Sequence, residues 1–311
     1  MKNYAPIVLF AYNRPHYLRE TLEALASNKE SQESHLYIFC DGAKEGASIE
    51  DLSAIEKVRA LSKEKKWCNT VTVLESEVNN GLSKAIISGV TQILKEHNSI
   101  IVLEDDLVTS PFFLNYMNTA LDKYENNHDV ISVVGYNYPL NFEDHTSETY
   151  FLKNADCLGW ATWKRGWNLF EEDALVLIKK LEETNSVKEF NFDNQYPYLK
   201  MLKSVAEGKV NSWAIRWYAS SFVNNKLSVF PKKSLIRHIG HVGSNIKADN
   251  TDVFGWDISM NPVRNYEAIV TELAENRLKL SKHFKKYNRR RLSVSSIRYA
   301  YRRFIKPLFT R

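Results

Sequence analysis

Two hydrophobic periods alternate along the first 135 residues, and that alternation most narrows the folds open to this chain. Ile7–Tyr12, Leu36–Cys40, Val71–Leu74, Ser99–Leu103 and Val130–Val134 are short apolar runs that read as strands. Between them, 17–27, 49–61 and 82–95 carry apolar residues at helical spacing, for example Leu52, Ile55, Val58 and Leu61, or Ile86, Val90 and Leu94. Pro111 is read as a first-turn proline opening a further helix. Strand and helix in turn predict a mostly parallel, Rossmann-like α/β sheet, and such sheets hold ligands at the carboxyl ends of their strands.

Residues 150–245 lose the alternation and are crowded with tryptophan (Trp160, Trp163, Trp167, Trp213, Trp217). They read as an α+β half packed onto the same sheet, covering the crevice from the other side. No Gly/Pro/Ser-rich linker separates the halves, so the expected organisation is one domain over 1–250, with halves 1–135 and 136–250. An extension over 251–311 follows, ending in a basic helical tail from Arg277. A chain of 311 residues that is 44% hydrophobic can bury a large core.

Charge is unevenly placed. Of 42 Lys/Arg, 13 lie from Arg277 onward, where there is no Asp or Glu, so the body is acidic and the tail strongly basic. An acidic body argues against nucleic acid as a partner. The three cysteines include no CxxC pair, which fits a reducing compartment better than a disulfide framework or a structural zinc site. No apolar run approaches the roughly 18 residues of a spanning helix, and none precedes the first strand as a signal region. The expected location is cytoplasmic, peripheral at the inner face of the cytoplasmic membrane.

The chemistry concentrates at strand ends. Ile100-Ile101-Val102-Leu103 runs into Glu104-Asp105-Asp106, three carboxylates at the tip of an apolar strand. Carboxylates so crowded repel each other unless a cation sits among them, and a hard divalent ion, Mn²⁺ or Mg²⁺, finishing its shell on substrate phosphates, is the simplest one. After the first strand, Phe10, Tyr12 and Arg14 offer rings to stack on a base and a guanidinium for phosphates. Asp41 follows the second strand, suited to imide or ribose hydroxyls. Asn80 and Lys84 follow the third at a helix start, where backbone N–H groups favour phosphate.

These residues resemble glycosyltransferases of the GT-A fold, most closely N-acetylglucosaminyltransferase I and related bacterial family 2-like glycosyltransferases. The likeness rests on Val102 to Leu107, Pro111-Phe112-Phe113, Tyr116 and Leu158-Gly159-Trp160, and more loosely on the Trp213 region and Ile239-Gly240. It spans about residues 5–245. It implies a metal-dependent, inverting transfer from a nucleotide-sugar, preferably a UDP-sugar. Asp106 would link the metal to the diphosphate, Glu104 and Asp105 would contact sugar and ribose, Arg14 and Asp41 would recognise uracil, and Lys84 would hold the nucleotide. His241 or His238, in a late Gly-rich segment, would reach the metal or diphosphate.

One element departs from the pattern. Where N-acetylglucosaminyltransferase I carries an acidic pair before a tryptophan, one acid being the base, this chain has Asn211-Ser212 before Trp213. Asp156 is the leading substitute, with Asp193 another. Trp160 is the tryptophan expected to stack on a sugar's CH face.

In the tail, Ile297, Tyr301, Phe304, Ile305 and Leu308 share one helical face, as in helices that lie on anionic membranes. The expected acceptor is accordingly a surface-glycan or lipid-linked saccharide. A sugar nucleotidyltransferase and a non-catalytic nucleotide- or sugar-binding protein are the alternatives. The first would want a glycine-rich loop where Asn13-Arg14-Pro15-His16 stands.

Overall fold

The computed structural model describes residues 4–142, 147–240 and 257–300. Eight strands form one sheet: β1 (Ile7–Ala11), β2 (His35–Cys40), β3 (Thr70–Glu75), β4 (Ser99–Glu104), β6 (Val130–Val134), β7 (Thr149–Leu152), β8 (Trp160–Trp163) and β9 (Leu227–Pro231). Their order is β3-β2-β1-β4-β8-β6-β9-β7. The first four pair in parallel, as the alternation predicts; β8 then enters antiparallel between β4 and β6. A separate two-stranded ribbon joins β5 (Leu107–Thr109) to β10 (Ile236–His238).

Every residue of β1 is buried, which is why it reads as an unbroken apolar run rather than an alternating one. Successive side chains still face opposite sides: Ile7 and Leu9 enter one core cluster, Val8 and Phe10 the other. The helices α1 (Pro15–Ala26), α2 (Ile49–Ser62) and α3 (Leu82–Glu96) flank the parallel half, and α4 (Phe113–Tyr124) packs against β6 and β8. Helix α4 starts two residues after Pro111, which precedes the helix instead of occupying its first turn.

The second half is not a cover laid over the sheet, because β7, β8 and β9 are strands of that sheet. Its helices are α5 (Lys164–Trp167), α6 (Ala174–Glu183), α7 (Val187–Phe190), α8 (Tyr198–Ala206) and α9 (Trp213–Val223). Trp160 is only 1% exposed and its ring lies 5.4 to 5.9 Å, centroid to centroid, from those of Trp167, Trp213 and Trp217. The expected sugar-stacking role of Trp160 is therefore corrected: its indole packs in the core against the tryptophans of α5 and α9. Phe10 is corrected for the same reason, being 4% exposed and stacked on Phe39 beneath Gly89 of α3.

A final helix, α10 (Ala274–Ala300), begins as part of the body. Leu280 and Phe284 are buried in the same cluster as Ile7 and Leu9, and the Arg277 guanidinium sits 4.6 Å from the Phe192 ring while pairing with Glu272. The first turns of the expected tail are thus core-forming, and a domain boundary at 250 does not isolate them. Tyr301, Phe304, Ile305 and Leu308 lie outside the described residues, as does His241. No helix among the described residues is long and apolar enough to cross a membrane.

Candidate active site

Strands β1 and β4 run side by side in parallel, with Phe10 opposite Glu104, so the residues after each strand emerge at one edge. Arg14, just before α1, turns back over that edge. Its Nη1–H donates to Asp106 Oδ2 at 2.7 Å, and its Nη2–H donates to Asp105 Oδ1. The cation among the carboxylates is thus the guanidinium, and Arg14 is corrected from a uracil contact to the partner of the acidic cluster. A planar fork suits two carboxylates better than a point charge would.

Asp106 is covered from the other side by β10. His238 Nε2 lies 3.3 Å from Asp106 Oδ2, and the Ile239 N–H donates to the Asp106 carbonyl at 2.9 Å. The next residue must be glycine: a Cβ on Gly240 would stand 2.1 Å from Asp106 Oδ2. The ribbon β5–β10, which the sequence reading did not anticipate, is what carries His238 to the cluster.

These carboxylates differ sharply. Lost hydration, then the charges of Asp106 and Asp105, push Glu104 up to about 8. Burial pushes Asp105 up to about 6, with Arg14 opposing it. Burial also works against an ionised Asp106, but His238 and Arg14 outweigh it and hold that carboxyl below the usual range. Asp105 Oδ2 is buried and meets no donor in full hydrogen-bond geometry, although the Tyr12 backbone N–H also acts on this carboxylate and favours its ionised form. Three acids therefore share one guanidinium and one imidazole.

The donors of this set are all carboxylate oxygens, the type a hard divalent ion takes, and its charge is incompletely matched. No group of three or more His, Cys, Asp or Glu among the described residues is placed to enclose an ion alone. An ion held here would rest on one or two of these carboxylates and take further oxygens from phosphate and water.

Asp41, expected to read a nucleotide, faces the loop after β3. Its Oδ1 accepts the N–H of Gly42 and Asn80 (3.0 and 2.9 Å), and its Oδ2 accepts the Gly81 N–H and the Asn79 amide (2.9 and 3.0 Å). Both oxygens are used in shaping the loop, so Asp41 is corrected to a positioning residue. Gly42 is required beside it, since a Cβ there would meet the Val78 backbone at 2.6 Å. The Asn80 amide donates to Ser76 Oγ at 2.9 Å and belongs to the same loop. Tyr12 remains half-buried at the edge, with the Lys44 ammonium 5.8 Å from its ring centre, and Lys84 is exposed on the first turn of α3.

Asp156 follows β7 and accepts from Tyr138 Oη at 3.1 Å and the Leu158 N–H at 3.0 Å. Burial raises its pKa, with the Leu158 N–H and the Tyr138 hydroxyl opposing that rise. Asp193 lies exposed between α7 and α8, among helices of the second half.

Arg216 was not anticipated. It is buried on α9, donating to Ser83 Oγ at the start of α3 (2.7 Å), to Asn211 Oδ1 (2.9 Å) and to the Ser212 carbonyl (3.1 Å). Asn211, standing where an acid was looked for, is thereby tied to a structural guanidinium. The signal was an arginine inside the apolar run Trp213-Ala214-Ile215-Arg216-Trp217.

The model of glycosyl transferase family 2 matches residues 7–180, more than half of the chain. The chain belongs to that family. The match covers β1 to β4, the acidic turn and β8, and the mostly parallel α/β sheet of this family 2 member is GT-A-like, as the resemblance implied. Similar solved structures include Staphylococcus aureus TarS, at 11% identity and a TM-score of 0.41, covering 83% of this chain and 41% of that one. A shorter TarS structure, residues 1–349, matches at 12% identity and a TM-score of 0.40, over 81% of this chain and 69% of that one. A UDP-glucose pyrophosphorylase complexed with UDP-glucose matches at 13% and 0.36, over 74% of this chain and 91% of that one. The chain thus spans less than half the length of the first of these proteins. No curated protein matches it.

Proposed function

We propose that this family 2 member transfers a sugar from a nucleotide-sugar, preferably a UDP-sugar, to a saccharide or lipid-linked saccharide acceptor with inversion. The observation that carries the reading is the crowded carboxylate cluster at the tip of β4, where three acids meet one guanidinium and one imidazole and Glu104 is pushed up to about 8. A bound Mn²⁺ or Mg²⁺ would neutralise the departing diphosphate. Asp106 and Asp105 would hold it; Arg14 and His238 keep Asp106 ionised and fixed. Tyr12 and Lys84 would face the nucleotide, and Asp156 would take the proton of the acceptor hydroxyl. A carboxyl with a raised pKa and a Tyr138 hydrogen bond supports that assignment. The basic tail would hold the protein at an anionic membrane surface, adding on the order of 1 kcal/mol per Lys or Arg near the lipid.

A hydrolysis screen over UDP-, GDP- and dTDP-sugars with Mn²⁺ tests the reading. Release of UDP from UDP-sugars alone is expected. Formation of UTP when pyrophosphate is added would instead mark a nucleotidyltransferase. Asp156→Asn is expected to keep UDP affinity and to lower transfer about 10²–10⁴-fold. An unchanged transfer rate would remove Asp156 from the base role.

A further inference from the structure

A hollow of about 660 Å³, lined by no residue of the acidic cluster, opens between the α7–α8 turn, helix α8 and the middle of α10. That volume lies within the range of small-molecule sites. Its charged lining is three lysines, Lys200, Lys203 and Lys209, against a single acid, Glu207. Lys209 pairs with Glu207 at 2.6 Å and Lys203 with Glu182 at 3.5 Å, which leaves the hollow positive on balance. Asn194, Gln195 and Asn288 add amides, and Tyr196 adds an aromatic ring.

The hollow is built, not incidental. Phe192, Asp193 and Asn194 are three consecutive non-glycine residues in the left-handed region, at φ 48, 55 and 61°. Such backbone persists only where its surroundings impose it. Here they do: Ser281 Oγ of α10 donates to the Phe192 carbonyl at 3.1 Å, and the Asn288 amide donates to the Gln195 carbonyl. Asn191 Oδ1 accepts the Leu199 N–H at 2.9 Å. Immediately after Asn288 the sequence continues Arg289-Arg290-Arg291.

We propose that this hollow is a second saccharide site, one that takes a sugar chain bearing phosphate or carboxylate groups. Amides match sugar hydroxyls as paired donors and acceptors, an aromatic face matches their CH surface, and ammonium groups match the anionic substituent. The inference goes beyond the donor site and stands on this hollow alone.

Calorimetric titration of the full chain tests it with pentamannose 6-phosphate and trigalacturonate, against neutral maltopentaose and inorganic phosphate. Either acidic oligosaccharide is expected to bind at least about tenfold tighter than both controls. Lys200→Glu with Lys209→Glu, and separately Lys200→Gln, should weaken that binding while leaving the melting temperature and UDP affinity unchanged. Acidic sugars that bind no better than the controls would overturn the site, as would binding untouched by the variants. So would phosphatidylglycerol vesicles that respond to the variants when the sugars do not bind. UDP titration of the same samples reads the donor site separately, so failure here is not failure there.

Discussion

Arg14→Ala is expected to cost about 3–5 kcal/mol of stability, because it strands Asp105 and Asp106 as buried carboxylates without their guanidinium. A chain of this size should then melt on the order of 10 °C lower. Millimolar Mn²⁺ should return part of that loss, since a second cation can take the place of the first. Arg14→Lys keeps the charge and loses the fork, so an intermediate value is expected. Calorimetric melting of the three proteins with and without Mn²⁺ checks this. A melting temperature indifferent to Arg14 would mean that protons and His238 neutralise the cluster without the guanidinium.

That Arg14 would face acids rather than a base was not legible in the sequence. Its type and its place after β1 were readable; its partner depends on where α1 lies against β5 and the acidic turn, a long-range contact. Asp41 failed likewise. An Asp-Gly at a strand end reads as a ligand contact or a turn, and only the fold shows both carboxylate oxygens filled by residues 79–81 and Gly42. The parallel half itself was legible, because the fully buried runs of β1 and β4, the alternation of β2 and amphipathic helices such as α3 leave periodic signals in apolar residues. Trp160 shows the opposite case: its ring was readable as apolar surface, but its neighbours Trp167, Trp213 and Trp217 are fixed by a strand inserted antiparallel, which no local pattern announces.

The second large effect concerns the C-terminal helix. Residues 277–311 looked detachable by charge, yet Phe284 is 3% exposed and packs edge-on against Tyr138 and Phe192 at 5.4 Å. Phe284→Ala is expected to cost about 3–5 kcal/mol. Truncation after Glu275 removes Arg277, Leu280 and Phe284 together and should yield protein that does not fold. Truncation after Asn288 keeps all three and should fold normally, with binding to anionic vesicles sharply reduced. Urea unfolding with vesicle sedimentation separates these outcomes. A well-folded 1–275 fragment would show that the helix is an appendage after all, and vesicle binding that survives truncation at 288 would take the membrane role away from the basic segment.

The most direct test of the account is calorimetric titration of UDP into the full chain and into Asp106→Ala, each with Mn²⁺ and with chelator. The wild-type chain should bind UDP at least about tenfold tighter when Mn²⁺ is present, and Asp106→Ala should lose that gain while remaining folded. Equal affinity with and without the ion, or a gain that survives in Asp106→Ala, would contradict the claim that the carboxylates at the tip of β4 hold a donor's diphosphate through a divalent cation.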